Sequence, residues 1–185
     1  MLAKSTQSTG KRAVFTIGHS TRPIDEFLAM LEAHGIRRVV DVRTVPRSRR
    51  NPQYGIDVLP QALVNRNIEY IHMPSLGGLR HPRPDSPNTG WRNDTFRGYA
   101  DYMQTPEFEQ ALGELMALAD EKPTAVMCAE AVPWRCHRSL IADALTVRGV
   151  STKHIMSPAG PQPHRMTPFA QIDGVKILYP PESIS

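Results

Sequence analysis

"PTAVMCAEAVPWRCHRSLIADALTVRG", residues 123–149, decides the fold class. Its first six residues form a short run that is almost continuously apolar, the pattern of a strand buried on both faces of a sheet. From Pro133 onward the chain reads as a helix, with the proline near its first turn. A buried strand followed at once by a helix is half of the unit from which parallel α/β sheets are built.

The same alternation runs outward in both directions. Upstream, "AVFTI" (13–17) is an apolar run ending in "GHST", and "PIDEFLAMLEAHG" follows with Ile24, Phe27, Leu28 and Leu31 at helical spacing. Thr21 is expected to cap that helix and Gly35 to stop it. "RRVVDVR" (37–43) and "IEYIHM" (68–73) read as the next strands, with a short helix around 57–66 between them. Further helices are expected at about 93–103 and 106–120, the second with Phe108, Leu112, Leu115 and Ala119 on one face. Downstream, "VSTKHIM" (150–156) is a fifth strand and "VKILYP" (175–180) a possible final one. The expected fold is a single three-layer, Rossmann-like α/β domain over 13–185. Its sheet has about five mostly parallel strands, with helices on both faces. Two polar loops interrupt the pattern, "TVPRSRRNPQYG" and the stretch 74–92, which holds four prolines and three glycines. A loop that long is functional, mobile or a linker.

Composition narrows the class. The chain has 185 residues and 40% hydrophobic composition, enough for a core that needs neither metal nor disulfide. No stretch approaches the ~20 apolar residues of a membrane span. The opening "MLAKSTQSTGKR" (1–12) lacks an apolar signal core and is expected to be a disordered lead-in. A cytoplasmic location follows as the expectation, with no membrane partner. The formal charge is only +4, yet 17 of the 22 basic residues are arginine. Arginine suits bidentate recognition of phosphate or carboxylate, and it equally serves as solvated surface.

In open parallel sheets, ligands bind beyond the carboxyl ends of the strands. The expected strand ends here carry most of the reactive side chains. The first is followed by Gly18, His19 and Ser20, and the second by Asp41, Arg43, Arg47, Ser48, Arg49 and Arg50. After the third come His72, Gly77 and Gly78, and after the fourth Cys128, Glu130, Cys136, His137 and Arg138. Cys136, in a first helical turn, would have its thiol pKa lowered by free backbone N–H groups, reinforced by Arg135 and Arg138. It could equally pack as a small hydrophobe, as could Cys128. Glu130 follows a buried strand, so it is either a buried general acid or the partner of an arginine from the 43–50 loop. Asp41 and Arg43 leave one strand end and need not share a face. Asp41 orients His19 or an arginine, or forms a structural ion pair. Arg47–Arg50 is the clearest anion-binding segment.

Several familiar chemistries lose support. Seven residues separate the two cysteines, unlike the two to four within a structural zinc pair, so no metal is assigned. The six residues between Cys128 and Arg135 miss the five required by the phosphate loop of cysteine-dependent phosphatases. Dinucleotide and P-loop fingerprints are absent, so the cofactor is left unknown.

Four ordered blocks resemble the DUF488 family. They are "FTIGHSTR" (15–22), "VVDVRTVPRSRRNPQY" (39–54), "IEYIHMPSLGG" (68–78) and "MCAEAVPWRCHRSLIADAL" (127–145), followed by "KHI" (153–155). The resemblance spans about 13 to 156. It implies a common site that draws on Gly18, His19, Ser20, Asp41, Arg43, Pro46, Ser48, Arg49, Gly77, Gly78, Cys128, Glu130, Cys136, His137 and Arg138. It implies no particular reaction.

Two functional classes stay open on the sequence. One is a small enzyme, a hydrolase or group transferase. It would hold an anionic or nucleotide-like substrate through arginines and use Glu130, Cys136 or His19 chemically. The other is a nucleotide- or nucleic-acid-binding or redox-sensing module without turnover, with Tyr54, Trp91, Tyr99 and Trp134 available for stacking. The partner is an anionic small molecule or nucleic acid, and the oligomeric state is left open.

Overall fold

The computed structural model describes residues 12–183. Almost all of the lead-in expected over 1–12 therefore lies outside the described residues. Arg12 is within them and pairs with Asp120.

The main sheet has six strands, in the order β3-β2-β4-β1-β5-β6. They are β1 (Ala13–Gly18), β2 (Arg38–Asp41), β3 (Glu69–His72), β4 (Thr124–Cys128), β5 (Ser151–Ile155) and the short β6 (Gln162–Pro163). The first five run parallel, and β6 adds to β5 antiparallel. The final expected strand is real, but it pairs elsewhere. β8 (Lys176–Leu178) forms a small antiparallel sheet with β7 (Gln171–Asp173).

Helices cover both faces because successive strand residues point to opposite sides. Ile17, Val39, Ala125 and Met127 pack against α1 (Ile24–Ala33) and α2 (Leu59–Val64) through Phe27, Leu31, Leu59 and Leu63. Val14, Val40, Val126 and Cys128 face the other way. They pack against α3 (Asp94–Tyr102), α4 (Pro106–Glu121) and α5 (Arg138–Val147) through Tyr99, Phe108, Leu112, Leu140 and Ile141. Each such side chain contributes about 1.5–3 kcal/mol on burial.

Local signals were partly overruled. Gly35 takes a positive φ of 67° and ends α1 as expected, but the residue at its start is Pro23 rather than Thr21. The helix expected from Pro133 begins only at Arg138. Residues Pro133–Arg135 make a single 3-10 turn, and Cys136 is extended. The 74–92 loop is well anchored. Buried Asp101 on α3 accepts hydrogen bonds from the Arg83 backbone, Ser86 and Asn88. The Arg80 guanidinium lies 3.6 Å above the Tyr102 ring.

The strand order also fixes where a ligand would go. β1 and β4 are neighbours, yet the chain leaves β1 for α1 on one face and β4 for α5 on the other. A crevice opens at such a switch point, beyond the carboxyl ends of the strands.

Candidate functional site

A cavity of about 620 Å³ lies at that position. His19 and Ser20 after β1, Arg43–Val45 after β2, and Cys128–Ala131 after β4 all line it. So do Gly78 and Leu79, Thr95 and Phe96, and Arg135–His137. The ends of β1 and β4 are tied together at the cavity floor. His19 N–H donates to Cys128 O at 3.0 Å and Ser20 N–H to Ala129 O at 2.9 Å. Ser20 holds a positive φ of 50° to make the second contact. Gly18 allows the close approach. A Cβ there would lie 1.6 Å from Glu130 O.

The two cysteines meet in the floor. Both are buried, and their sulfur atoms are 2.8 Å apart. Cys136 Sγ also lies 3.5 Å from His137 Nδ1 and accepts from the Arg138 backbone N–H at 3.5 Å. Burial pushes the Cys136 thiol up. It is outweighed by hydrogen bonds from Cys128 and His137 and by the positive field of His137 and Arg138, which hold the thiol well below its usual range. Cys128 moves the opposite way, pushed up by burial and by its neighbour. The two thiols are therefore driven in opposite directions, with Cys136 the one favoured to ionise. The sequence placed the helix start at the wrong residue but the helix end at the right sulfur. Cys136 lies just before α5, and a first-turn N–H of α5 points at it.

The arginines separate into two groups. Arg43 is buried, its guanidinium clamped by Asp41 at 2.9 and 2.7 Å and by Tyr54 O at 2.7 Å. The carboxylate of Asp41 also accepts from the Arg43 backbone N–H and from Tyr70 OH. Asp41 ends β2 and Arg43 follows two positions on, where the two side chains meet directly. Arg138 is fully buried, donating to Thr16 Oγ1, Glu130 O and Ala131 O. Arg47, Arg50 and Arg135, by contrast, are exposed on the cavity wall with no carboxylate partner among the described residues. Of the expected set, Gly18, Asp41 and Arg138 lie beneath the cavity, and Arg49 and Gly77 are not in its lining. Ser48 lines it.

His19 is held in one tautomer. Its Nδ1–H donates to Ser20 O at 2.8 Å, so Nε2 accepts from Arg43 at 3.4 Å. The ring stacks on Tyr54 with centroids 4.2 Å apart. Burial lowers its pKa to about 4, assisted by Arg43, so it is neutral near pH 7. Glu130 departs from both of its expectations. It is exposed on the cavity wall rather than buried, and among the described residues no arginine of the 43–50 loop pairs with it. It is the single carboxylate in the lining.

Sequence reading gave His137 to substrate binding. The structure sets it against the Cys136 sulfur, with Nε2 buried and unpartnered among the described residues. Gly78 makes room for that ring. A Cβ there would lie 2.5 Å from His137 Nδ1. Of the aromatics expected to stack on bases, Tyr54 and Tyr99 are fully buried, whereas Trp134 is 63% exposed. Among the described residues no group of three or more His, Cys, Asp or Glu side chains is placed to hold a metal. No helix among them is long and apolar enough to cross a membrane.

A sequence model of the family described as "Domain of unknown function DUF488" matches residues 23–145, more than half of the chain. That span includes the 43–50 loop, Gly78 and the whole cysteine segment. No curated protein and no solved structure matches the chain.

Proposed function

The chain belongs to the DUF488 family, and from that premise we propose that it is a hydrolase or group transferase using Cys136 as a thiolate nucleophile on an anionic substrate. The supporting observation is the setting of Cys136 Sγ. It is 2.8 Å from Cys128 Sγ, beside His137 and an α5 N–H, at the floor of a cavity edged by Arg47, Arg50 and Arg135. A thiolate needs a nearby donor and a cation to persist near neutral pH, and both are in place.

In this reading the exposed arginines hold the anion. The thiolate attacks the electrophilic atom of the substrate and the bond to the leaving group breaks. The leaving group takes a proton from Glu130 or from water. Attack by water, or by an acceptor in group transfer, then releases the product and restores the thiolate, with Glu130 taking up the proton. His137 stays against the restored thiolate sulfur. His19, with Nε2 engaged by Arg43, shapes the floor rather than moving protons. On this proposal the domain is Rossmann-like with its chemistry at the switch point of the sheet, and the enzyme works in the cytoplasm, where thiols stay reduced. The test is alkylation of the protein by iodoacetamide across pH, read peptide by peptide by mass spectrometry. Rapid modification of Cys136 below about pH 7, slowed by phosphate or a nucleotide, supports the reading. Modification as slow as an ordinary thiol whatever is added would sink it.

The sulfur separation favours a second reading, a redox sensor in which an oxidant closes Cys128 and Cys136 into a disulfide and removes the nucleophile. Reversible loss of both thiols with peroxide, at full retention of anion binding and without turnover on any substrate, would select it.

A further inference from the structure

Arg138 is a fully buried guanidinium without a carboxylate in contact among the described residues. A buried cation requires a counter-charge. In the proposed reading the Cys136 thiolate supplies one on one side, through the cysteine pair. On the other side, a line of hydrogen bonds leads away from the cavity. Arg138 Nη1 lies 3.1 Å from Thr16 Oγ1, and Thr16 Oγ1 lies 2.6 Å from His154 Nδ1. His154 Nε2 is 2.9 Å from His164 Nδ1, and His164 Nε2 is 2.7 Å from Asp143 Oδ1. Asp143 is fully buried and also accepts from Thr167 and Tyr179.

The direction of each bond in this line follows from Thr16. Its hydroxyl is fully buried and already accepts from Arg138, which can only donate. Among the described residues the one acceptor within reach of its own hydrogen is His154 Nδ1. That nitrogen is therefore bare, and the His154 proton sits on Nε2. His164 Nδ1 must then accept, which leaves its proton on Nε2, donated to Asp143. Each hydrogen along the line then meets an acceptor, and the line runs one way from the Arg138 Nη1 donor to the Asp143 carboxylate. We infer that Thr16, His154, His164 and Asp143 are positioning residues: a one-way relay that couples buried Arg138 to the Asp143 carboxylate and holds its guanidinium at the Glu130 carbonyl, which the Cys128 thiol beside Cys136 also reaches. The inference rests on the reading of Cys136 as the working thiolate. Arg138 also holds the Glu130 and Ala131 carbonyls, so a shift of its guanidinium would move the cavity wall as well.

The test uses the whole protein labelled with 15N-histidine. At pH 7 both His154 and His164 should show a protonated Nε2 and a bare Nδ1. A proton on His154 Nδ1, or a doubly protonated His164, would overturn the relay. The variant Thr16→Val keeps the β-branched shape and removes the hydroxyl, while Thr16→Ser keeps the hydroxyl. Thr16→Val should slow iodoacetamide modification of Cys136 at pH 6 roughly tenfold, the effect of one pKa unit. It should also shift the His154 Nδ1 resonance. Thr16→Ser should behave as the unmodified protein in both readouts. A folded Thr16→Val protein whose Cys136 reacts at the original rate would overturn the positioning role. An ordinary, unactivated Cys136 in the unmodified protein would sink the nucleophile reading and the positioning role together. The wrong histidine tautomer beside a reactive Cys136 would sink the relay alone.

Discussion

Cys128 and Cys136 lie eight positions apart in the chain, yet their sulfur atoms are 2.8 Å apart in the cavity floor. Cys128 ends β4, and Cys136 is brought back over it by one 3-10 turn. The same contact lowers the pKa of one thiol and raises that of the other.

Removing the donor should therefore slow the acceptor. In Cys128→Ala, Cys136 keeps its other two neighbours but loses the hydrogen bond from sulfur. Its thiol pKa should rise by about one unit, so the iodoacetamide rate at pH 6 should fall about tenfold. Peptide mass spectrometry across pH checks this. A rate profile that overlays the original would show that the pairing does not govern reactivity.

The exposed arginines should bind anions and the clamped one should not. Inorganic phosphate or a nucleotide is expected to protect Cys136 from alkylation. Arg135→Ala or Arg50→Ala should each weaken that protection about tenfold, the loss of one charge-assisted hydrogen bond. Replacing Arg49, outside the cavity lining, should leave it unchanged. Steep loss of oligonucleotide binding with added salt would instead point to a multi-phosphate ligand.

Stability should divide the arginines the other way. Asp41→Asn leaves the buried Arg43 guanidinium without its counter-charge, at an expected cost of about 3–5 kcal/mol in urea unfolding. Arg47→Ala, on an exposed wall, should stay within about 0.5 kcal/mol. Equal effects from the two would contradict the division.

Acid should destabilise the fold well above the range in which carboxylates titrate. His19 and His154 have pKa values lowered to about 4, chiefly by burial, against about 6.5 unfolded. Between those values the unfolded chain binds more protons than the folded one. The stability they confer is complete above about pH 6.5 and is lost as pH falls toward 4, by at most about 1.4 kcal/mol per unit for each histidine. Unfolding curves at pH 7, 6 and 5 measure the slope. His19→Gln should reduce the slope by one histidine's share even if it lowers stability at pH 7.

Local pattern carried much of this molecule. The apolar run before Cys128, the helical spacing of Phe27 and Leu31, and the polar stretch after Arg43 each determined their element, because burial on one face or two leaves a period in the chain. The edge of the sheet that opens into the cavity was legible too, since polar and thiol side chains gather where the parallel strands end. Thr16, Asp143 and His164 gave no such signal, being ordinary residues in a strand, a helix and the tail. Only the tertiary structure decided that Asp41 would occupy Arg43 and leave Arg47, Arg50 and Arg135 exposed on the cavity wall. It also decided that Glu130 would be exposed, and that the two cysteine sulfurs would meet. The physical reason is common to all three. A charge or a thiol takes its properties from whatever lies within a few ångströms, and those neighbours come from strands far apart in the chain.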